Sequence, residues 1–232
     1  MGLRDITVTR FPNGVTNRSE DDLLGGSLRM LDPTRYHTFF EDFDYYVADD
    51  WTITGTNAGT PALSDGDGGL LAIVNDTSDD DGTFLQKVGE SFTIESGKRL
   101  FFKARLEVLD AEDSDFIVGL AITDSTPLDA SDGIFFRKDD GDQNLDIVSV
   151  KNSVAVSSVA ATVESEEVFE LGFMYDGLGR VYYSFNGTIL GYLEPGASLP
   201  DDEVLTITVG IQNGAAAANE MTVDYILAAK ER

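Results

Sequence analysis

A chain of 232 residues with 42% hydrophobic and 10% aromatic side chains can bury one large core, which excludes global disorder and argues against a second full domain. It contains no cysteine, which excludes disulfides, thiolate metal sites and cysteine nucleophiles and leaves the redox compartment open. With 16 basic against 42 acidic residues the net charge is −26, a field that repels nucleic acid and anionic membranes.

The chain starts MGLRDITVTRF, with no apolar run long enough for a signal peptide, and no later stretch approaches the roughly 18 apolar residues of a membrane span. The expectation is a protein made in a cytoplasm that stays soluble. Residues 1–38 are set apart by charge: Arg4, Arg10, Arg18, Arg29 and Arg35 balance Asp5, Glu20, Asp21, Asp22 and Asp32. The rest of the chain holds 11 basic and 37 acidic residues and therefore all of the net charge. Pro12-Asn13-Gly14 and Gly25-Gly26 break this segment, and Leu23, Leu24, Leu28, Met30 and Leu31 are hydrophobes that a solvated tail would waste. It reads as an irregular arm, 1–38, able to order on a partner surface, ahead of a body at 39–232.

Tyr36–Trp51, YHTFFEDFDYYVADDW, is the seam between the two: Phe39, Phe43 and Tyr45 put three aromatics on one face of an extended strand, with Glu41 among them. From Trp51 the pattern is strand and turn, with no helical period of ten residues. Strands are expected at Leu70–Val74, Arg99–Leu109, Phe116–Thr123, Ile134–Lys138, Leu145–Val150, Phe169–Tyr175, Val181–Phe185, Ile189–Leu193 and Leu205–Gln212, with Asp/Gly turns between them. Asn186-Gly187 suits the positive φ angles of a two-residue type I′ hairpin turn. Ala215–Ala218 reads as a loop before a last strand at Glu220–Lys230, and sandwich folds often pair such a strand with the first. The fold class is all-β, a two-sheet antiparallel jelly-roll sandwich.

Few residues carry obvious chemistry. His37 is the single histidine, too few for a multi-histidine metal site, and with no G-x-S-x-G elbow it reads as structural. Glu107, Asp110, Glu112, Asp113 and Asp115 are candidates for the two carboxyls of a glycosidase, but the E-x-D-x-x-E arrangement of sandwich glucanases does not occur. The loops at 65–69 and 139–144 miss the EF-hand spacing and read as solvated turns, so no metal and no cofactor is expected. N-x-[ST] sequons stand at Asn17, Asn75 and Asn186. Trp51, Tyr182, Tyr183 and Tyr192, with Tyr45 and Tyr46, suit either a sugar-stacking platform or a packed core.

TFFEDFDYY, LFFKARLEVLDAEDSDFIVGLAITD, LGFMYDGLGRVYYSFNGTILGYL and TVDYILA together resemble the concanavalin A-like jelly roll. TRFPNGVTN followed by LDPTRYHTFFEDFD resembles the N-terminal region of tailed-phage virion structural proteins of the capsid decoration, or cement, type. That resemblance implies a non-enzymatic homotrimer on the exterior of the virion, made in the host cytoplasm and bound to the major capsid protein. The arm, on the order of 100 Å when extended, would bridge capsomers through Arg4, Arg10, Phe11, Arg18, Arg29, Arg35 and the seam residue Tyr36. A lectin-like glycan-binding module is the alternative, and a sandwich glycosidase acting through Glu107 the third reading.

Overall fold

The computed structural model describes residues 34–66 and 68–232. Its strands are β1 Tyr36–Glu41, β2 Trp51–Thr54, β3 Ala62–Ser64, β4 Leu70–Val74, β5 Gly82–Lys87, β6 Phe92–Thr93, β7 Leu100–Val108 and β8 Ser114–Ala121. They continue as β9 Gly133–Lys138, β10 Asn144–Lys151, β11 Val154–Thr162, β12 Phe169–Tyr175, β13 Val181–Phe185, β14 Thr188–Leu193, β15 Val204–Asn213 and β16 Glu220–Glu231. Among the described residues they form two antiparallel sheets of eight. The first runs β14-β13-β12-β7-β16-β4-β3, with β1 also on β16; the second runs β11-β10-β9-β8-β15-β5-β2, with β6 also on β15.

Alternation explains the stacking. On β7, Leu100, Phe102, Ala104, Leu106 and Val108 point between the sheets, and Phe101, Lys103, Arg105 and Glu107 point away. On β15, Leu205, Ile207, Val209 and Ile211 point in, and Thr206, Thr208, Gly210 and Gln212 out. A one-residue slip of either strand would expose its whole apolar set, so burial fixes the register. Phe102 stacks on Phe173 of β12 at 5.2 Å, and Phe136 of β9 reaches the same ring from the facing sheet at 6.3 Å.

The first and last strands pair antiparallel, from Tyr36 opposite Glu231 to Glu41 opposite Ile226. Tyr36, His37 and Thr38 are therefore sheet residues, where the sequence reading placed the arm's end. The aromatic strand expected across the seam stops at Glu41, whose carboxylate accepts a hydrogen bond from Phe43 N at 3.2 Å and turns the chain. Phe43 takes a φ of 49° and drops into the core, while Tyr45 is exposed. Gly69 lets the chain pass this turn: a Cβ there would lie 2.4 Å from the Phe43 carbonyl oxygen.

The hairpin of β13 and β14 turns at Asn186 (φ 49°) and Gly187 (φ 76°), and Asn186 Oδ1 accepts from Glu170 N at 2.8 Å. At another corner, buried amides hold the loops. Asn75 Nδ2 donates to Ile211 O at 3.0 Å, Asn213 Nδ2 to Asp76 O at 2.7 Å, and Asn219 Nδ2 to Asp110 O at 3.0 Å. Asn75 is thus a buried structural amide rather than an exposed acceptor for sugar.

β16 is tied down by ion pairs at its end. Glu231 accepts from Arg99 Nη2 at 2.6 Å, and Lys230 Nζ bonds both Glu95 and Thr93. The hydrogen bond from Lys230, then those from Lys98 and Thr93, hold the Glu95 carboxyl down to about 2. A depressed carboxyl contributes stability above its unfolded value near 4.5, and that contribution is lost as pH falls toward 2. Denaturation midpoints of the protein and of Glu95→Gln should therefore differ most above pH 5 and converge by about pH 2; a gap independent of pH contradicts this role.

Candidate functional site

The outward face of the second sheet is where the fold makes a recess. Strands β5, β8, β9 and β10 turn Phe84, Ile117, Ala121, Phe135, Val148 and Val150 outward, and these pack as one apolar layer. Residues 122–132, between β8 and β9, fold back over that layer. Leu128 and Ala130 rest on it, with a 3-10 turn at Pro127–Asp129. Gln86 clamps this segment to the sheet: its Nε2 donates to Ile122 O at 2.8 Å and to Thr208 Oγ1 at 3.0 Å, and its Oε1 accepts from Asp124 N at 2.8 Å. Asp132 closes the other end, accepting from Asn152 N at 2.9 Å.

Beside this flap lies a groove of about 490 Å³, bounded by Gly55, Thr56, Gly82, Phe84, residues 125–129 and Gln212. Its width depends on glycine. A Cβ on Gly55, which has a φ of 132°, would meet the Gly82 carbonyl oxygen at 2.0 Å. The polar groups facing the groove are the hydroxyls of Thr56, Ser125 and Thr126, the Gln212 amide and Asp129, the one carboxylate among the described lining residues. Gln212 Nε2 is turned to Asp80 Oδ1 at 3.2 Å. Thr54 lies opposite Phe84 in the β2–β5 register and so shares its face, and its buried hydroxyl has no hydrogen-bond partner. An unmet polar group of this kind costs about 1–3 kcal/mol; the Thr54 oxygen is sealed from solvent and lies outside the groove's lining.

The aromatic platform expected from the sequence is divided by the fold. Trp51 and Tyr183 belong to the core and offer no ring to solvent, because β2 and β13 turn them between the sheets. Tyr182 and Tyr192 face outward together at the edge of the first sheet, 5.7 Å apart. The Arg180 guanidinium lies 4.7 Å over the Tyr192 ring and pairs with Glu194 at 2.9 Å, above a shallow recess lined by Asp176, Leu178, Gly179 and Gly196.

The five candidate acids are dispersed rather than paired. Glu107 projects from the outward face of the first sheet, opposite Thr222. Asp110 caps the turn after β7, accepting from Glu112 N and Asp113 N at 3.0 and 3.1 Å. The Glu112 carbonyl oxygen accepts from buried Lys138 Nζ at 2.7 Å, and that of Asp113 from Asn219. Asp115 alone lies on the outward face of the second sheet, where burial pushes its carboxyl up despite a hydrogen bond from Asp140 N. Asp146, on the same face, is raised for the same cause, and Arg137 stands opposite it on β9. Glu107 and Asp115 thus sit on opposite outer surfaces of the sandwich and cannot act on one bond.

His37 faces inward opposite Lys230, 4.9 Å from the Phe92 ring; burial, then Arg232 and Lys230, lower its pKa and keep it neutral. Tyr36 lies on the outward face of the first sheet against Phe101, Met174, Leu227 and Ala229, and the Arg35 carbonyl accepts from Arg232 N. Arg4, Arg10, Phe11, Arg18 and Arg29 lie outside the described residues.

No family model matches the sequence, and no curated protein matches it significantly. Solved structures do match. An endo-1,3-beta-glucanase from Streptomyces sioyaensis aligns with a TM-score of 0.61 at 12% identity, covering 85% of this chain and 97% of its own. The carbohydrate recognition domain of Emp47p aligns at 0.59 and 12% identity, covering 85% and 97%, and peanut lectin at 0.55 and 12%, covering 84% and 97%. At these identities the likeness is one of fold, and the sandwich is of the concanavalin A-like jelly-roll kind.

The Gln86 clamp is testable by itself. Gln86→Leu strands the Asp124 N–H and the Ile122 carbonyl, and should lower stability by about 1–3 kcal/mol. Hydrogen exchange should become faster across 122–132 in this variant; unchanged protection there would show that the flap is held by Leu128 and Ala130 alone.

Proposed function

We propose that this protein is a non-catalytic carbohydrate-binding module, and that the groove beside the 122–132 flap holds the sugar. What carries the reading is the groove's own chemistry. Hydroxyl and amide side chains of Thr56, Ser125, Thr126 and Gln212 line a recess together with Phe84, Leu128 and two glycines. Sugars need this mixture: hydroxyls recognised by short polar side chains, and C–H faces received by an apolar surface. The lectin and glucanase folds among the structural neighbours support the same class. Hydrolysis requires two carboxyls about 5 to 9 Å apart across the bond, and Asp129 has no second carboxylate beside it among the described lining residues. A net charge of −26 favours a neutral glycan over an acidic one. Because one neighbour is an endo-1,3-beta-glucanase, a β-1,3-glucan is the first probe.

A second reading rests on the charge-balanced residues 1–38, set against a body that carries the whole of the −26. Such an arm suits a capsid decoration protein that grips the major capsid protein as a trimer, and a glycan-binding body is compatible with that position. Full-length protein that co-sediments with capsids lacking it, and loses binding on deletion of residues 1–35, would support decoration.

For the main reading, the test is retardation in gels cast with β-1,3-glucan and with other neutral polysaccharides. The protein should be retarded in at least one gel without releasing reducing sugar, and Gln212→Ala or Asp129→Ala should weaken binding about tenfold, the worth of a lost hydrogen bond. Tyr192→Ala should leave it unchanged. Migration unaffected by every polysaccharide, or retardation that survives both groove variants, would exclude the groove.

A further inference from the structure

The far edge of the second sheet is unlike the rest of this surface. β11 is the terminal strand of that sheet, bonded to β10 on one side and, among the described residues, to no strand on the other. Residues 152–163, NSVAVSSVAATV, contain no charge, no proline and no glycine, in a chain of net charge −26. Val154, Val156 and Val159 are 62%, 36% and 56% exposed. A long, uncharged, valine-bearing edge is a template for another strand, and natural proteins ordinarily blunt such edges with lysine, proline or a bulge. Here the one bulge falls at the β11 end that pairs with Leu145 and Asp146, leaving Val154–Val159 regular. The ends are fixed, Ser153 N bonding Ser131 O and Val163 N bonding Gln143 O, so the strand is presented as a straight rail.

We propose that β11 pairs antiparallel with β11 of a second copy, joining two second sheets into one continuous sheet across a two-fold axis at Ser157. The sequence of the edge is what selects a second copy. An axis that makes neighbouring edge strands antiparallel stands perpendicular to the sheet and keeps every residue on its own face, so paired residues are separated by an even number of positions. Centring the axis on Ser157 sets Val156 opposite Ser158 of the second copy and Ala155 opposite Val159, with Val154 reaching the bulged Ala160 at each end. Each valine then meets an alanine or a serine, so large and small side chains alternate across the seam. Both sides of such a contact are the same patch, and this patch is the stretch of edge free of the acids that would otherwise drive two copies apart. Residues 154–160, seven at about 3.3 Å each, give a seam of about 23 Å. β14, the edge of the first sheet, lies near β11 and exposes Ile189 and Leu190.

The absence of cysteine makes the contact directly readable. Residues facing each other across an antiparallel pair have Cα atoms about 4.5–5.5 Å apart, within the span of a disulfide. Full-length Ser157→Cys, oxidised mildly, should run as a covalent dimer on a non-reducing gel, whereas Ser158→Cys, turned to the other face and off the axis, should not. In sedimentation velocity the cysteine-free protein should have twice the chain mass and associate more tightly as salt screens its charge. Ser157→Lys, which opposes two ammonium groups on the axis, should be monomeric with an unchanged circular dichroism spectrum, and Ser157→Ala should remain dimeric. A monomer or a trimer at all concentrations, equal cross-linking at both cysteine positions, or a dimeric Ser157→Lys would each overturn the proposal.

Discussion

Burial of both faces of the second sheet is the constraint on which the rest of this structure depends. One face packs on the first sheet through Phe116, Val118, Ile134, Phe136 and Ile207; the other carries Phe84, Ile117, Phe135 and Val148, which must be covered as well. The 122–132 flap provides that cover over part of the sheet and stops short of β2 and the start of β5, and the groove is the space left where it stops. The need is visible in the strands themselves, since FIVG in β8 and IFF in β9 are continuous apolar runs of the kind found where both faces are buried. Phe84 and Phe135 can lie flat on this face because Gly210 and Gly119 sit beneath them: a Cβ at either would approach Phe84 or Phe135 to within about 2.5 Å.

The first sheet solves the same problem differently. Its outward face is polar and self-satisfied: Lys103 pairs with Glu170 at 2.7 Å, Tyr225 donates to the same carboxylate at 2.5 Å, and Arg105 pairs with Asp224. Burial, followed by Glu170, drives the Tyr225 phenol upward, so it stays a neutral donor there. These partly buried pairs hold β7, β12 and β16 in register, and surround Phe101 and Ala229 without a covering loop. The two sheets therefore differ outside the core, one carrying ion pairs around a small apolar cluster and the other a recess lined by hydroxyl and amide side chains.

Strands with a clean period of two were legible in the sequence, as β7, β15 and β16 show, and so was the Asn186-Gly187 turn. β11 was not, because alanine and serine give no contrast between its faces, nor was β5 at Gly82–Lys87, and the short β2, β3 and β6 were lost among turn residues. The seam misled because three aromatics imitate a strand face, whereas Phe43 is buried by a turn that depends on Glu41 and on the distant Gly69. The division of the tyrosines was available: Tyr183 shares the parity of Val181 and Phe185, which turn inward, and Tyr182 the opposite parity. The groove had no local signal. Thr56, Gln212 and residues 125–129 are brought together only by the pairing of β2, β5 and β15 and by the fold of the flap.

The proposed function requires that a neutral glycan bind in this recess without being cleaved. The most direct measurement is a site-resolved NMR titration of the isotope-labelled protein with a β-1,3-glucan oligosaccharide, following backbone amides and the integrity of the sugar together. Shifts should concentrate at residues 55–56, 82–84, 125–129 and 212, with an intact oligosaccharide at the end. Shifts confined to Tyr182 and Tyr192, or steady appearance of shorter sugars, would contradict it.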